Sequence, residues 1–298
     1  MKHLLKLEGM PSAAMEEILA SAKVIKAKRG GGEAKPLDGQ TWAMIFTKSS
    51  TRTRVSFEVG IRELGGSVMF LNANDMQLGR GEPIKDTARV LGRMVHGAVI
   101  RTFAQADVEE FAEYSGIPTI NALTDDEHPC QILTDIFTFQ ERRGPIRGKV
   151  VTYVGDGGCN VPVSWVHAAA ALDFELRIAA PAEFQPSAET LAKAGGNISC
   201  TQDIRAAVKG ADMVYTDVWV SMGMEAEAEE RLAKLAGYQI NGGLMCLAKP
   251  DALVMHCLPA YRGKEIDAET FEAHADTIFT QAENRLHTQK AILAWLAG

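Results

Sequence analysis

Short apolar, β-branched runs alternate with longer stretches whose apolar positions recur every three or four residues, along almost the whole chain. TWAMIF (41–46), SVMFL (67–71), GAVIRTF (97–103) and PTINAL (118–123) predict strands. So do KVVTYVG (149–155), FELRIAA (174–180), NISCT (197–201), ADMVYTD (211–217), ALVMHCL (252–258) and TIFTQ (277–281). Between them, Phe57, Ile61 and Leu64 fall on one helix face, and Pro83 opens EPIKDTARVLGRM where a first helical turn tolerates proline. AENRLHTQKAILAWL (282–296) carries an apolar face at Ile292, Trp295 and Leu296. Strand–helix alternation of this kind predicts parallel sheets with helices on both faces.

That many strands exceed one comfortable sheet, so the pattern predicts two α/β domains. Arg, Gly and Pro interrupt it at ERRGPIRGK (141–149). The expected division is residues 1–142, joined by the terminal helix 282–298, and residues 143–281, with the active site in the cleft between them.

Composition narrows the function. The 298 residues are 46% hydrophobic and 23% charged, a globular balance. With 31 basic against 38 acidic side chains the net charge is −7, which argues against a nucleic-acid partner, so any anion site must be local. The cysteines, Cys130, Cys159, Cys200, Cys246 and Cys257, are odd in number and never form C-x-x-C. That disfavours a disulfide framework or a zinc cage and fits a reducing cytosol. MKHLLKLEGM breaks its apolar run at Lys6 and Glu8 and does not read as a secretory signal. The longest apolar stretch, VPVSWVHAAAAL (161–172), falls short of the ~20 residues a bilayer span takes. A soluble, cytoplasmic protein without a membrane partner is expected.

Polar residues then gather at the carboxyl ends of the strands, where open parallel sheets bind ligands. KSSTRTR follows strand 41–46, Arg101 closes GAVIR, and His128 and Gln131 follow PTINAL. Asn160 follows KVVTYVG, Asp217 ends ADMVYT, and His256-Cys257 ends ALVM. Ser50, Thr51 and Thr53, with the N–H groups of a first helical turn, make an anion cup, and Arg52 adds a fork that matches two phosphate oxygens. Arg54 either joins it or pairs with an acid. The same stretch also fits an ordinary capped helix with two solvated arginines. Likewise His128 fits a satisfied loop histidine, Cys257 a buried strand cysteine and Asp217 a cap. GDGGCN (155–160) has the strand–turn–helix setting of a dinucleotide loop, which keeps a nucleotide-binding oxidoreductase as the alternative. Asn160, however, stands where the third glycine belongs.

The ordered motifs S-T-R-T-R (50–54), H-P-C-Q (128–131), D-V-W-V-S-M-G (217–223), H-C-L-P (256–259) and A-E-N-R-L-H (282–287) resemble the ornithine carbamoyltransferases of the aspartate/ornithine transcarbamoylase family, over essentially the whole chain. The resemblance implies transfer of the carbamoyl group of carbamoyl phosphate to the δ-amino group of L-ornithine, giving L-citrulline and phosphate, without metal or cofactor. It places the chain in arginine-type amino-acid metabolism. It assigns the donor's phosphate to Ser50, Thr51, Arg52 and Thr53, and the carbamoyl surroundings to Arg101, His128, Gln131 and Arg285. It makes Gln77 the expected residue lent by a neighbouring subunit, which implies a homotrimer with shared active sites. Ornithine falls to Asn160, Asp217, Ser221 and Met222, and Cys257 with Leu258 lies between the substrates, so Arg101, His128 and Cys257 are the catalytic candidates. One departure stands out: Cys159 replaces the first of two adjacent asparagines usual in that turn, which leaves open whether another amine is accepted.

Overall fold

The structure, a computed structural model, describes residues 1–32, 34–72, 81–221 and 223–298. The chain divides into two compact units, Met1–Phe137 with Asn284–Gly298, and Thr138–Glu283.

In the first unit, α1 (Ser12–Lys28) is followed by β1 (Thr41–Phe46), α2 (Thr51–Glu63), β2 (Ser67–Asn72), α3 (Ile84–Leu91), β3 (Gly97–Arg101), α4 (Gln105–Ser115), β4 (Thr119–Leu123) and the start of α5 (Pro129–Arg143). The strands form a parallel sheet in the order β2-β1-β3-β4. All of β3 and all but the first residue of β1 are buried, as strands covered on both faces must be. Ala43, Ile45, Ala98 and Ile100 pack against Val108 and Phe111 of α4. Gly97 is required here: a Cβ would stand 2.5 Å from the Trp42 ring.

The second unit runs β5 (Val150–Val154), α6 (Asn160–Leu172), β6 (Glu175–Ala179), α7 (Ala188–Ala194), β7 (Ile198–Thr201), α8 (Ile204–Val208) and β8 (Met213–Thr216). It continues through α9 (Ala228–Leu235), α10 (Gly242–Met245), β9 (Leu253–His256), α11 (Ala268–Ala273) and α12 (Ala275–Ala297), which ends in the first unit. Its parallel sheet is ordered β7-β6-β5-β8-β9. Val154, Val214 and Val254 pack with Val208, Leu244, Phe271 and Ile278. Trp165 of α6 meets the rings of Phe174 and Tyr215 edge-on, with centroids 5.8 and 5.6 Å away.

One predicted strand is wrong: TIFTQ (277–281) lies inside α12. Its threonines and isoleucine favour strand locally, yet Ile278, Gln281, Arg285, Thr288 and Ile292 are buried at helical spacing, and this longer period decides. Among the described residues no helix is long and apolar enough to cross a membrane.

Each sheet reverses its direction of growth once, between β1 and β3 in the first unit and between β5 and β8 in the second. Strand ends at such a reversal leave a crevice no crossover covers, and this is where α/β sheets hold ligands.

Candidate functional site

In the first unit the chain leaves β1 through Thr47-Lys48-Ser49 and enters α2 at Ser50, an N-cap in extended conformation (φ −162°) whose hydroxyl accepts from the Thr53 N–H at 3.2 Å. The remaining first-turn N–H groups and the positive end of the helix dipole face outward with the Thr51 side chain. A cleft of about 390 Å³ opens here, bordered by Thr47, Lys48, Ser49, Ser50, Thr51 and Arg54. Arg52, half-buried, makes no ion pair among the described residues. Arg54 takes the second of its two expected roles: it lies 3.8 Å from Glu58, and its guanidinium stacks 3.7 Å over the Phe70 ring.

The neighbouring strand ends and α12 carry the other candidate groups of this unit. Arg101, 5% exposed, pairs in register with Phe46, and its carbonyl accepts from the Thr47 N–H at 2.9 Å. Arg285 of α12 donates to the buried Thr53 hydroxyl oxygen, which leaves the Thr53 proton for another acceptor. Burial, then the positive charges of Arg285 and Arg101, hold the His128 imidazole well below its ordinary pKa, so it is neutral. Gln131 donates its amide N–H to Asp135 at 2.8 Å, which orients its carbonyl oxygen as an acceptor. Arg285 and Arg101 thus both act on one neutral imidazole, and Arg285 also reaches Thr53 in the first turn of α2. Lys48 was not anticipated: it is buried, pairs with Asp125 and lies 4.2 Å from the Phe103 ring centroid, joining the loop after β1 to the one after β4. Its place as the first residue of KSSTRTR was its sequence signal. Gln77 lies outside the described residues.

In the second unit, GDGGCN makes the turn from β5 into α6. Gly155 has φ +130°, and a Cβ at Gly157 would stand 2.6 Å from Ile178. Close packing therefore explains these glycines without a dinucleotide. Asp156 accepts from the Gly158 N–H at 3.0 Å and pairs with the buried Arg231, whose Nε donates to the Trp219 carbonyl at 3.0 Å. Cys159 caps α6 with its side chain turned inward, and burial, then Asp156 and Asp217, push its thiol well up. Asn160 is the first residue of α6.

Asp217 follows β8 and accepts from the Val218 N–H at 2.7 Å. Ser221 is half-buried in the segment beyond it, and Met222 lies outside the described residues. At the end of β9, ligand-type atoms of Asp217, His256 and Cys257 lie within 4.8 Å of one another. This trio is the second unit's chemical centre. It could ligate a cation only by breaking existing bonds. His256 Nδ1 accepts from the Leu258 N–H at 2.9 Å, and Nε2 lies 3.2 Å from Glu265 Oε1, so both ring nitrogens are committed. The first bond also holds Leu258 in a left-handed conformation (φ 62°) that costs a non-glycine residue about 1–2 kcal/mol. Cys257 and Leu258 are each half-buried.

Both units are similar to known proteins over nearly their whole length. Residues 2–141 match the family described as aspartate/ornithine carbamoyltransferase, carbamoyl-P binding domain, and residues 147–296 match its Asp/Orn binding domain. The ornithine carbamoyltransferase of Akkermansia muciniphila is 54% identical over 300 residues, covering 100% of this chain and 98% of that protein. That of Methylococcus capsulatus is 51% identical, covering 99% and 98%. Among solved structures, ornithine carbamoyltransferase from Pyrococcus furiosus superposes with a TM-score of 0.92 at 45% identity, covering 100% of this chain and 97% of that one. The anabolic ornithine carbamoyltransferase of Campylobacter jejuni gives 0.93 at 43%, covering 99% of each. A match of this extent, through both units and nearly the whole chain, leaves one conclusion: the chain belongs to the aspartate/ornithine carbamoyltransferase family.

Proposed function

We propose that this chain transfers the carbamoyl group of carbamoyl phosphate to the δ-amino group of L-ornithine, releasing L-citrulline and phosphate. The observation that carries the reading is the coexistence of a capped helix N-terminus at Ser50–Thr53 with the Asp217, His256 and Cys257 cluster, in a chain about half identical to ornithine carbamoyltransferases over its full length.

In this reading Ser50, Thr51, Arg52 and Thr53 hold the phosphate. Its charge falls on N–H groups and a guanidinium fixed before it arrives. The neutral δ-amine attacks the carbonyl carbon, the carbonyl oxygen becomes an oxyanion, and the C–O bond to phosphate breaks as the carbonyl re-forms, the surplus proton on the attacking nitrogen passing to the departing phosphate. Arg101, the neutral His128 and the Thr53 hydroxyl donate to that oxygen, as an oxyanion hole does. Gln131 supports the carbamoyl N–H₂ with the carbonyl oxygen that Asp135 orients. Arg285 balances charge beside them, and Leu258 offers its backbone. Asp217 takes the α-ammonium, Asn160 and the backbone at Met222 take the α-carboxylate, and Ser221 lines the same side. Ornithine's δ-ammonium, with a lysine-like pKa near ~10, must lose a proton before it attacks. The half-buried Cys257 is the contact assigned there. Residues 1–142 with 282–298 serve the donor, and residues 143–281 serve ornithine.

The wider setting follows from the same family reading: a cytoplasmic homotrimer acting in arginine biosynthesis, with Gln77 of one subunit completing a neighbour's site. Incubation with carbamoyl phosphate and ornithine should release citrulline and phosphate in equal amounts. Absence of citrulline at saturating substrates overturns the assignment. The same assay with putrescine and N-acetylornithine tests whether Cys159 has shifted the amine accepted, and ornithine is expected to be preferred.

A further inference from the structure

The segment before α1 runs alongside β4, the strand whose carboxyl end leads to His128. Leu4 forms a parallel bridge with Ile120, its N–H donates to the Thr119 carbonyl at 2.9 Å, and its carbonyl accepts from the Asn121 N–H at 2.7 Å. Two side chains extend the attachment, Asn121 and Gln105 donating to the Leu5 carbonyl at 2.8 and 3.1 Å. Just beyond, the contact passes to Glu127, which immediately precedes His128. One Glu127 carboxylate oxygen accepts from the Leu7 N–H at 2.6 Å and the other from the Glu8 N–H at 3.2 Å. Glu127 is 4% exposed.

The loop that Glu127 ends is a closed turn. The Thr124 N–H donates to the Glu127 carbonyl at 3.0 Å, and the Glu127 N–H donates to the Thr124 hydroxyl oxygen at 3.2 Å. That hydroxyl in turn donates to Gln105 at 2.8 Å. A buried carboxylate gripped by two backbone donors is expensive to keep desolvated, and its grip falls on the residue next to a site group. We propose that Glu127 is a positioning residue: by clamping the turn 124–127 to the backbone of Leu7 and Glu8, it fixes where His128 presents its imidazole to the carbamoyl group. The proposal rests on the carbamoyl-binding role of His128 given above.

Burial lifts the Glu127 carboxyl to about 7, against the lowering effect of the two N–H donors. The charged groups facing it are Glu8 and Lys6 of the amino-terminal segment, with Lys6 also 3.1 Å from Glu8 and 3.5 Å from Glu109. Asp125, Asp126 and His128 share its own loop, and His128 stays neutral. Near neutral pH the clamp is therefore part ionised, and each N–H keeps a full acceptor only in the ionised form.

The decisive experiment is a double-mutant cycle on the full chain, reading kcat/KM for carbamoyl phosphate by citrulline release. Glu127→Gln keeps shape and burial but turns an N–H₂ toward one of the two donors. It is expected to lower kcat/KM at least tenfold in the wild-type background and less than twofold in a His128→Ala background. Equal losses in both backgrounds, or no loss in the first, overturn the proposal. A His128→Ala enzyme of full activity would instead remove the role on which the proposal rests, and the proposal with it. Should Glu127→Gln fail to fold, Glu8→Pro approaches the clamp from the other side. The Leu7 carbonyl accepts from the Met10 N–H at 3.0 Å, closing a turn with Gly9 (φ +71°) third, where proline is favoured in Glu8's second place. Glu8→Pro deletes one donor and should lower kcat/KM two- to fivefold, again only when His128 is present. A loss that persists without His128 counts against the clamp.

Discussion

A guanidinium that meets a phosphate in a fixed cup makes charge-assisted bonds worth about 1.5–3 kcal/mol. Arg52→Ala should therefore weaken carbamoyl phosphate binding by roughly ten- to a hundredfold while ornithine KM at saturating donor stays within about twofold. Titration of the donor onto the variant checks this, and near-normal affinity would contradict the assignment. Cys257→Ala should do the reverse, lowering kcat/KM for ornithine more than it alters donor binding, because its thiol stands in the Asp217–His256 cluster. The residue scale is also where the sequence was least legible. Hydroxyls after an apolar run announced the N-cap of α2, and the end of the run ALVM announced the strand end at His256. The clamp of Glu127 on Leu7 and Glu8 joins residues about 120 positions apart, and no spacing rule reaches that far. The same holds for Lys48 and Asp125, which pair across two loops. Which nitrogen of His256 bears hydrogen follows from a backbone N–H two residues on, a fact of geometry alone.

At the scale of elements, periodicity reads well where burial is one-sided or complete, and fails where two periods overlap. β1, β3, β8 and β9 are buried on both faces and announced themselves as apolar runs. TIFTQ announced itself in the same way, but a window of five residues cannot show that burial continues every three or four positions into α12. Close strand approach gives a separate test. Gly97→Ala would force a methyl against the Trp42 ring, at a distance where real contacts do not occur. Overpacking of this kind costs about 1–3 kcal/mol. Thermal unfolding should show a fall in Tm of several degrees, and an unchanged Tm would mean that β1 and β3 do not lie in the described register.

At the scale of the whole molecule, stability and activity should pull in opposite directions with pH. An unfolded glutamate titrates near ~4.3, whereas burial lifts Glu127 to about 7. The unfolded chain therefore gives up this proton first. Stability from the raised pKa is complete below about pH 4 and is lost as pH climbs to about 7, a change of about 3 kcal/mol. Denaturant unfolding at pH 5 and pH 8 should show wild type losing ground to Glu127→Gln as pH rises, and the opposite sign would contradict the burial argument. Over the same range the ionised carboxylate gains its grip on both N–H groups, so the pH that weakens the fold favours the presentation of His128.

The proposed reaction needs a division of labour, with the donor's phosphate on the helix N-terminus after β1 and the amino acid on the groups after β5 and β8. The most direct measurement is a crystal structure with a bisubstrate mimic, a phosphonate joined to an ornithine body. The expected result is phosphonate oxygens within hydrogen-bond distance of Ser50, Thr51, Arg52 and Thr53, the carbonyl oxygen on Arg101 and His128, and the α-ammonium on Asp217. A mimic bound with its phosphonate away from Arg52, or with Asp217 turned from the amino acid, would contradict it.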